Sequence, residues 1–365
     1  MFRIMIPLFI FICPAWAAET GGANPSAGKA PAGTEKPAAP KVAVLYSEKF
    51  LLHDAGADCP ETPERLKAAV ARIKGDEKLS AGVVWPKFEP APIESIEYVH
   101  TPAYVKQVKK DIEEGKRILS AGDTDVSTAT WEAALLAAGA GMAGCDEVMA
   151  GRASAAFALI RPPGHHATPS RGVGFCVFNN VAIAARHLQK KHGIKRVLIV
   201  DFDVHHGDGT QAIFYEDDTV FYFSTHQHPL YPEETGRPGE TGKGKGKGFT
   251  MNVDMKSGSG DAEVLAAYRE KLKPAMEKFK PEFVLVSAGF DAHEGGLLAN
   301  LKYTDDGYAA MARELVAIAD RYASGRIVFL LEGGYKLENV ANATARILEV
   351  LVARPVRAPK QDKGK

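Results

Sequence analysis

Val197-Leu-Ile-Val-Asp201-Phe-Asp203-Val-His205-His206-Gly-Asp208-Gly209 begins as an apolar run and ends as a glycine-punctuated cluster of acids and imidazoles. Consecutive apolar residues without alternation mark a strand buried on both faces, which is how strands of a parallel sheet read. Working outward, similar runs lie at 42–46, 155–160, 220–223, 249–253, 283–286 and 327–331. Helical patterns separate them at 63–74, 130–150, 180–192, 262–279, 305–322 and 338–351, with Thr62 and Thr304 placed to cap two of these. The alternation predicts an α/β fold: an open, mostly parallel, doubly wound sheet with helices on both faces. Its spacing is too irregular for a closed eightfold barrel.

Of 365 residues, 45% are hydrophobic and 25% charged, which excludes wholesale disorder. Lys plus Arg equals Asp plus Glu, 45 each, so the chain as a whole has no attraction for nucleic acid or anionic lipid. Four cysteines without close spacing exclude a disulfide scaffold and a Cys-based zinc finger. Residues 1–17 read as a secretory signal: Met1-Phe-Arg3, an apolar run to Cys13, then Ala15-Trp16-Ala17. That run is shorter than the ~20 residues a membrane span needs, so export to a periplasmic or secreted location is expected, without stable membrane insertion. Cleavage would leave Cys59, Cys145 and Cys176, an odd number. Residues 18–40 read as a flexible Ala/Pro/Gly linker, 41–355 as the compact domain and 356–365 as a disordered tail. Lys243-Gly-Lys-Gly-Lys247 reads as a solvated loop.

In open α/β sheets, ligands gather at the carboxyl ends of the strands. There this chain places Arg161-Pro-Pro-Gly-His165-His166, Asp201–Gly209, Ser224-Thr-His226-Gln-His228, Ser287-Ala-Gly-Phe-Asp291-Ala-His293 and Glu332-Gly-Gly-Tyr335. Those loops hold seven of the eleven histidines. Asp203 and His205, two apart at a strand end, point the same way, and Asp291 can add a third ligand. Two carboxylates and an imidazole suit a divalent first-row metal, zinc foremost, with positions left for water and substrate. An isolated Asp-x-Asp would read as a turn, but this company argues for a metal. His165 and His166 need carboxylate partners, and Asp201 and Asp208 are spare acids nearby. Tyr335, after two glycines, can offer its hydroxyl to a substrate carbonyl. The residues alone thus describe a metal-dependent hydrolase with an imidazole base.

Together with Gly172-Val-Gly174-Phe175-Cys-Val-Phe-Asn-Asn180, these motifs resemble the zinc-dependent histone deacetylase and acetylpolyamine amidohydrolase superfamily, in particular bacterial class II histone-deacetylase-like amidohydrolases. The resemblance spans residues 42 to 350 and implies the arginase/deacetylase-like fold. It implies zinc on Asp203, His205 and Asp291, with His166 as general base. His165 would assist electrostatically, Asp201 and Asp208 would partner the histidines, and Tyr335 would polarise the acyl carbonyl. Gly174, Phe175 and Tyr231 would wall an acyl-lysine tunnel, with Leu298 at its mouth. It further implies potassium at Asp201, Asp203, His205, Ser224 and Thr225, and a second potassium at Phe214, Asp217 and Val220.

The activity implied is removal of acetyl or other acyl groups from acetyl-lysine-type linear amides, on a small-molecule or peptide substrate. An acetylpolyamine deacetylase is the alternative, with Glu294 as a rival selector. An arginase-like binuclear manganese ureohydrolase would need a carboxylate where Gly207 stands, or help from His293. A non-catalytic acyl-ligand binder would not need Tyr335 or the histidine pair. Asp58-Cys-Pro-Glu-Thr-Pro-Glu-Arg65 resembles the family's loop at the tunnel rim, but Cys59 replaces the usual histidine. Homo-oligomerisation is left open.

Overall fold

The computed structural model describes residues 41–355; the expected signal, linker and tail lie outside the described residues. Its strands are β1 (Val42–Leu45), β2 (Val83–Val84), β3 (Ala156–Ala158), β4 (Val197–Asp201), β5 (Val220–Gln227), β6 (Thr250–Met255), β7 (Phe283–Ala288) and β8 (Ile327–Leu331). They form one sheet in the order β2-β1-β3-β8-β7-β4-β5-β6, every neighbouring pair parallel. Every residue of β1, β3, β4, β5, β7 and β8 is buried, the physical reason their sequences run apolar without alternation.

The chain order positions the site. From β3 the chain passes over two strand positions to β4, winds outward through β5 and β6, then returns to fill the gap with β7 and β8. The carboxyl ends of β3, β8, β7 and β4 therefore sit side by side where the winding changes direction, the place such sheets bind ligands. Helix Thr130–Met149 packs on the sheet and on helix Asn180–His192. Its Gly144 permits that close approach: a Cβ there would meet Ala156 Cβ and Val328 Cγ1, both at 3.3 Å. Phe157 and Phe329, next along the same strands, stack together on the opposite face. Helices Glu64–Gly75, Asp305–Tyr322 and Leu337–Val352 form a second packed group.

The structure departs from these expectations in several places. The helix expected over 262–279 is Asp261–Ala267, a π-helical stretch Tyr268–Leu272, and Lys273–Phe279. Pro274 lacks an N–H and crowds the preceding turn, which accounts for the widened register. The helix expected from 63 begins at Glu64, and no side chain caps it, whereas Thr304 Oγ1 does accept from Gly307 N at 3.0 Å. Helix Pro102–Glu113, capped by Thr101, and edge strand β2 were not expected. In the Lys243–Lys247 loop the three lysines are exposed, as anticipated, and Lys243 Nζ pairs with Glu216 at 2.8 Å.

Candidate active site

The loop after β3 carries His165 and His166 and is held from both sides. Glu332, at the end of β8, accepts from Gly164 N at 2.7 Å and His165 N at 3.1 Å, and its other oxygen accepts from Ser287 Oγ at 2.9 Å. Burial pushes this carboxyl up to about 7 against the pull of His165 and these donors. At the start of the next helix, Asn179 Nδ2 donates to Ala167 O at 3.1 Å and Asn180 Nδ2 to Pro162 O at 3.2 Å.

The ends of β4 and β7 supply a group of side chains that could hold a metal ion. One ligand atom each from Asp203, His205 and Asp291 lie within 4.8 Å of one another. His205 Nδ1 is 3.0 Å from Asp203 Oδ1 and 3.1 Å from Asp291 Oδ2. Backbone groups orient the acids: Gly333 N donates to Asp203 Oδ2 at 2.8 Å and Val204 N to Asp291 Oδ1 at 3.0 Å. Asp291 Oδ2 is buried and makes no aligned hydrogen bond. Burial opposes charge on His205, yet the two carboxylates lift it to about 10, a measure of how strongly the cluster draws positive charge. Two buried carboxylates facing each other with one oxygen unsatisfied fit a bound divalent cation.

The tandem histidines differ in their surroundings. His166 Nδ1 lies 2.7 Å from Asp208 Oδ1, and a carboxylate held below its usual range by that bond can only accept, so Nδ1 donates and Nε2 is the free acceptor. Burial, then the positive field of His165, pushes His166 down to about 4 against Asp208. His165 Nδ1 meets Asp201 Oδ2 at 3.0 Å. Burial opposes its charge too, but Asp201 and Asp203 outweigh that and hold it well above the ordinary imidazole range. Neighbouring groups with pKa values pushed apart are the arrangement in which one can act as base while the other carries charge.

His166 and His205 line one cavity of roughly 300 Å³, together with Asp123, Gly174, Phe175, Tyr231, Leu298 and Tyr335. His166, His205 and Tyr335 are its buried end, and the more exposed Tyr231 and Leu298 mark its mouth. Phe175 packs edge-on to Tyr335 at 5.9 Å and Tyr231 to His166 at 5.2 Å. Gly174 and Phe175 both adopt positive φ, 59° and 66°, and a Cβ on Gly174 would lie 2.5 Å from the His166 ring. The cost of a left-handed phenylalanine is borne where the wall must turn.

A histone deacetylase domain is matched over residues 59–351. The chain belongs to the histone deacetylase family. It is 41% identical to "Histone deacetylase 14, chloroplastic" of Arabidopsis thaliana over 87% of this chain and 79% of that one. It is 39% identical to "Polyamine deacetylase HDAC10" of Homo sapiens over 81% of this chain and 45% of that longer protein. The crystal structure of the HDA15 HD domain superposes with a TM-score of 0.81 at 34% identity, covering 86% of this chain and 89% of that one. This chain is a deacetylase, a hydrolase of amide bonds.

The other residues of this deacetylase expected at the site are placed as follows. Strand pairing sets Asp201 opposite Ser224, so Asp201, Ser224 and Thr225 meet where β4 runs on to Asp203 and His205. Phe214, Asp217 and Val220 lie on the turn between helix Asp208–Phe214 and β5, where Asp217 N donates to Phe214 O at 3.0 Å. His293 is occupied elsewhere, 3.0 Å from Glu294 O and 3.1 Å from Asp305 Oδ1. A Cβ on Gly207 would lie 2.3 Å from Asp201 Oδ2, so no carboxylate fits there. The binuclear ureohydrolase arrangement is not assembled by these residues.

Two features of the deacetylase site went unforeseen. Asp123 lines the cavity and accepts from Gly174 N at 3.0 Å; it stands on a loop far from any strand end, with no local signal. The second is a fully buried clamp in the loop expected at the rim. Glu61 pairs with Arg65 at 2.7 Å and Arg161 at 2.6 Å. Arg65 also donates to Gly334 O at 2.6 Å and to Glu332 O, and sits over the Tyr335 ring. Arg161 donates to Phe50 O at 3.0 Å. Burial would raise Glu61, but Arg161 and Arg65 lower it to about 2. One carboxylate thus ties the Tyr335 loop to the start of the histidine loop.

Proposed function

We propose that this deacetylase removes acyl groups from acyl-lysine-type amides, with zinc held by Asp203, His205 and Asp291. The observation that carries the reading is that one cavity brings together His205 of that cluster, His166 of the polarised histidine pair and Tyr335. A zinc ion there would supply Lewis acidity, bringing the pKa of a water toward neutrality and polarising the amide carbonyl. His166 Nε2 takes the proton of the attacking water and returns it to the leaving nitrogen. His165, charged against Asp201, stabilises the negative charge that develops. Tyr335, whose hydroxyl is kept protonated by burial and by Asp291 and Asp203, donates to the carbonyl oxygen. Phe175 and Tyr231 flank the linear chain of the substrate, while Asp123, with one oxygen on Gly174, offers the other to a substrate N–H. Potassium beside Asp201, Asp203, His205, Ser224 and Thr225, and a second ion at Phe214, Asp217 and Val220, belong to the same proposal as structural ions. So does export on the signal at residues 1–17: a mature N-terminus near Ala18 supports it, and an intact Met1 on soluble cytoplasmic protein opposes it.

The choice against acetylpolyamines rests on the mouth. Leu298 lines the cavity there and Glu294 does not. Lys336 Nζ stands 3.5 Å from where a side chain on Gly295 would start, adding positive charge beside Glu294. A polyammonium chain finds no buried complement at Leu298. An acetyl-lysine peptide should therefore exceed acetylspermidine in kcat/KM, and Leu298→Glu should move the ratio toward the polyamine. A wild-type preference for acetylspermidine that Glu294→Gln removes would overturn this choice.

A further inference from the structure

On the helical layer formed by Thr130–Met149 and Asn180–His192, three side chains converge that deacetylation does not use. His187 Nε2 and His192 Nε2 lie 2.8 and 2.6 Å from the same oxygen, Asp146 Oδ1. The three donor atoms all fall within 4.8 Å of one another, the only such group among the described residues besides the catalytic cluster. The imidazoles meet edge-on with ring centroids 5.7 Å apart. Two imidazole nitrogens and a carboxylate oxygen are a donor set for borderline divalent ions, zinc, nickel or copper.

We propose that Asp146, His187 and His192 form a second, non-catalytic site for a divalent transition-metal ion, with a remaining position taken by water. Bonds of about 2.0–2.2 Å in a tetrahedral shell separate neighbouring donors by roughly 3.3–3.6 Å, so the present contacts need to widen by about 0.5–1 Å. The side chains have that freedom, because Asp146 and His192 are 26% and 20% exposed, which also leaves a path for the ion. Lys191 Nζ sits 2.8 Å from the other carboxylate oxygen but is 55% exposed and can swing into solvent. An ion here ties the two helices together. The N-terminal end of Asn180–His192 is the one whose Asn179 and Asn180 hold the histidine loop, so the site braces the far end of a helix that supports catalysis. It does not depend on the substrate assigned above.

The test counts zinc on the full chain after chelator stripping, by titrating zinc chloride against a chromophoric competitor. The wild type should take two ions per chain and Asp203→Ala one. His187→Gln with His192→Gln should also take one, and the triple variant none. A single wild-type ion that survives the two histidine changes overturns the proposal while leaving the catalytic reading intact. A single ion lost with those changes would keep this site and sink the catalytic cluster. X-ray absorption on zinc-loaded Asp203→Ala provides a readout that misfolded histidine variants do not affect: imidazole scattering is expected, and its absence refutes the site.

Discussion

His165 and His166 are adjacent in the chain, their rings 4.0 Å apart, yet their surroundings push them in opposite directions. Both are buried; Asp201 and Asp203 hold His165 up, and the positive charge of His165 adds to burial in holding His166 down against Asp208. His166→Ala should therefore lower kcat by at least the ~10²–10⁴-fold typical of general acid–base catalysis, with metal content unchanged. Tyr335→Phe removes a donor aimed at developing charge and should cost about 10²–10³-fold in kcat with little change in KM. Steady-state kinetics and metal analysis on the purified variants check both; a Tyr335→Phe enzyme with wild-type kcat would remove the oxyanion role. Residues at this scale were legible wherever they follow a strand in a dense motif. Asp123 was not, because its place in the cavity arises from a loop folding across the chain to meet Gly174.

At the scale of elements, the strands were legible because burial on both faces leaves continuous apolar runs, which survive in any context. β2 escaped because two valines are too few to show a pattern. The Pro102–Glu113 helix has a start signal in Thr101-Pro102, a short local cue beside the long apolar runs of the strands. The Glu61 clamp could not be read, because it joins residues 100 positions apart whose pairing depends on the finished fold. Its energetics are testable. Glu61 has an ordinary value of 4.5 and is held at about 2, so its contribution to stability is present above pH 4.5 and is lost as pH falls toward 2. Glu61→Gln leaves two buried guanidinium groups facing a neutral amide and should destabilise the fold by about 3–5 kcal/mol at neutral pH. In urea titrations across pH, the gap between wild type and variant should narrow below pH 4.5. A gap independent of pH would show that the Glu61 charge is not what holds the clamp.

At the scale of the whole molecule, the sheet order does what no single motif can. It returns β7 and β8 to the centre, so that Asp291 and Tyr335 reach residues supplied by β3 and β4. The central claim is that this convergence makes a metal-dependent amide hydrolase. The most direct measurement is acetate release from an acetyl-lysine peptide by chelator-stripped protein, before and after zinc is restored. Turnover should be absent without metal and return with zinc in the wild type, while Asp203→Ala stays inactive throughout. Undiminished acetate release by the stripped protein would contradict the account.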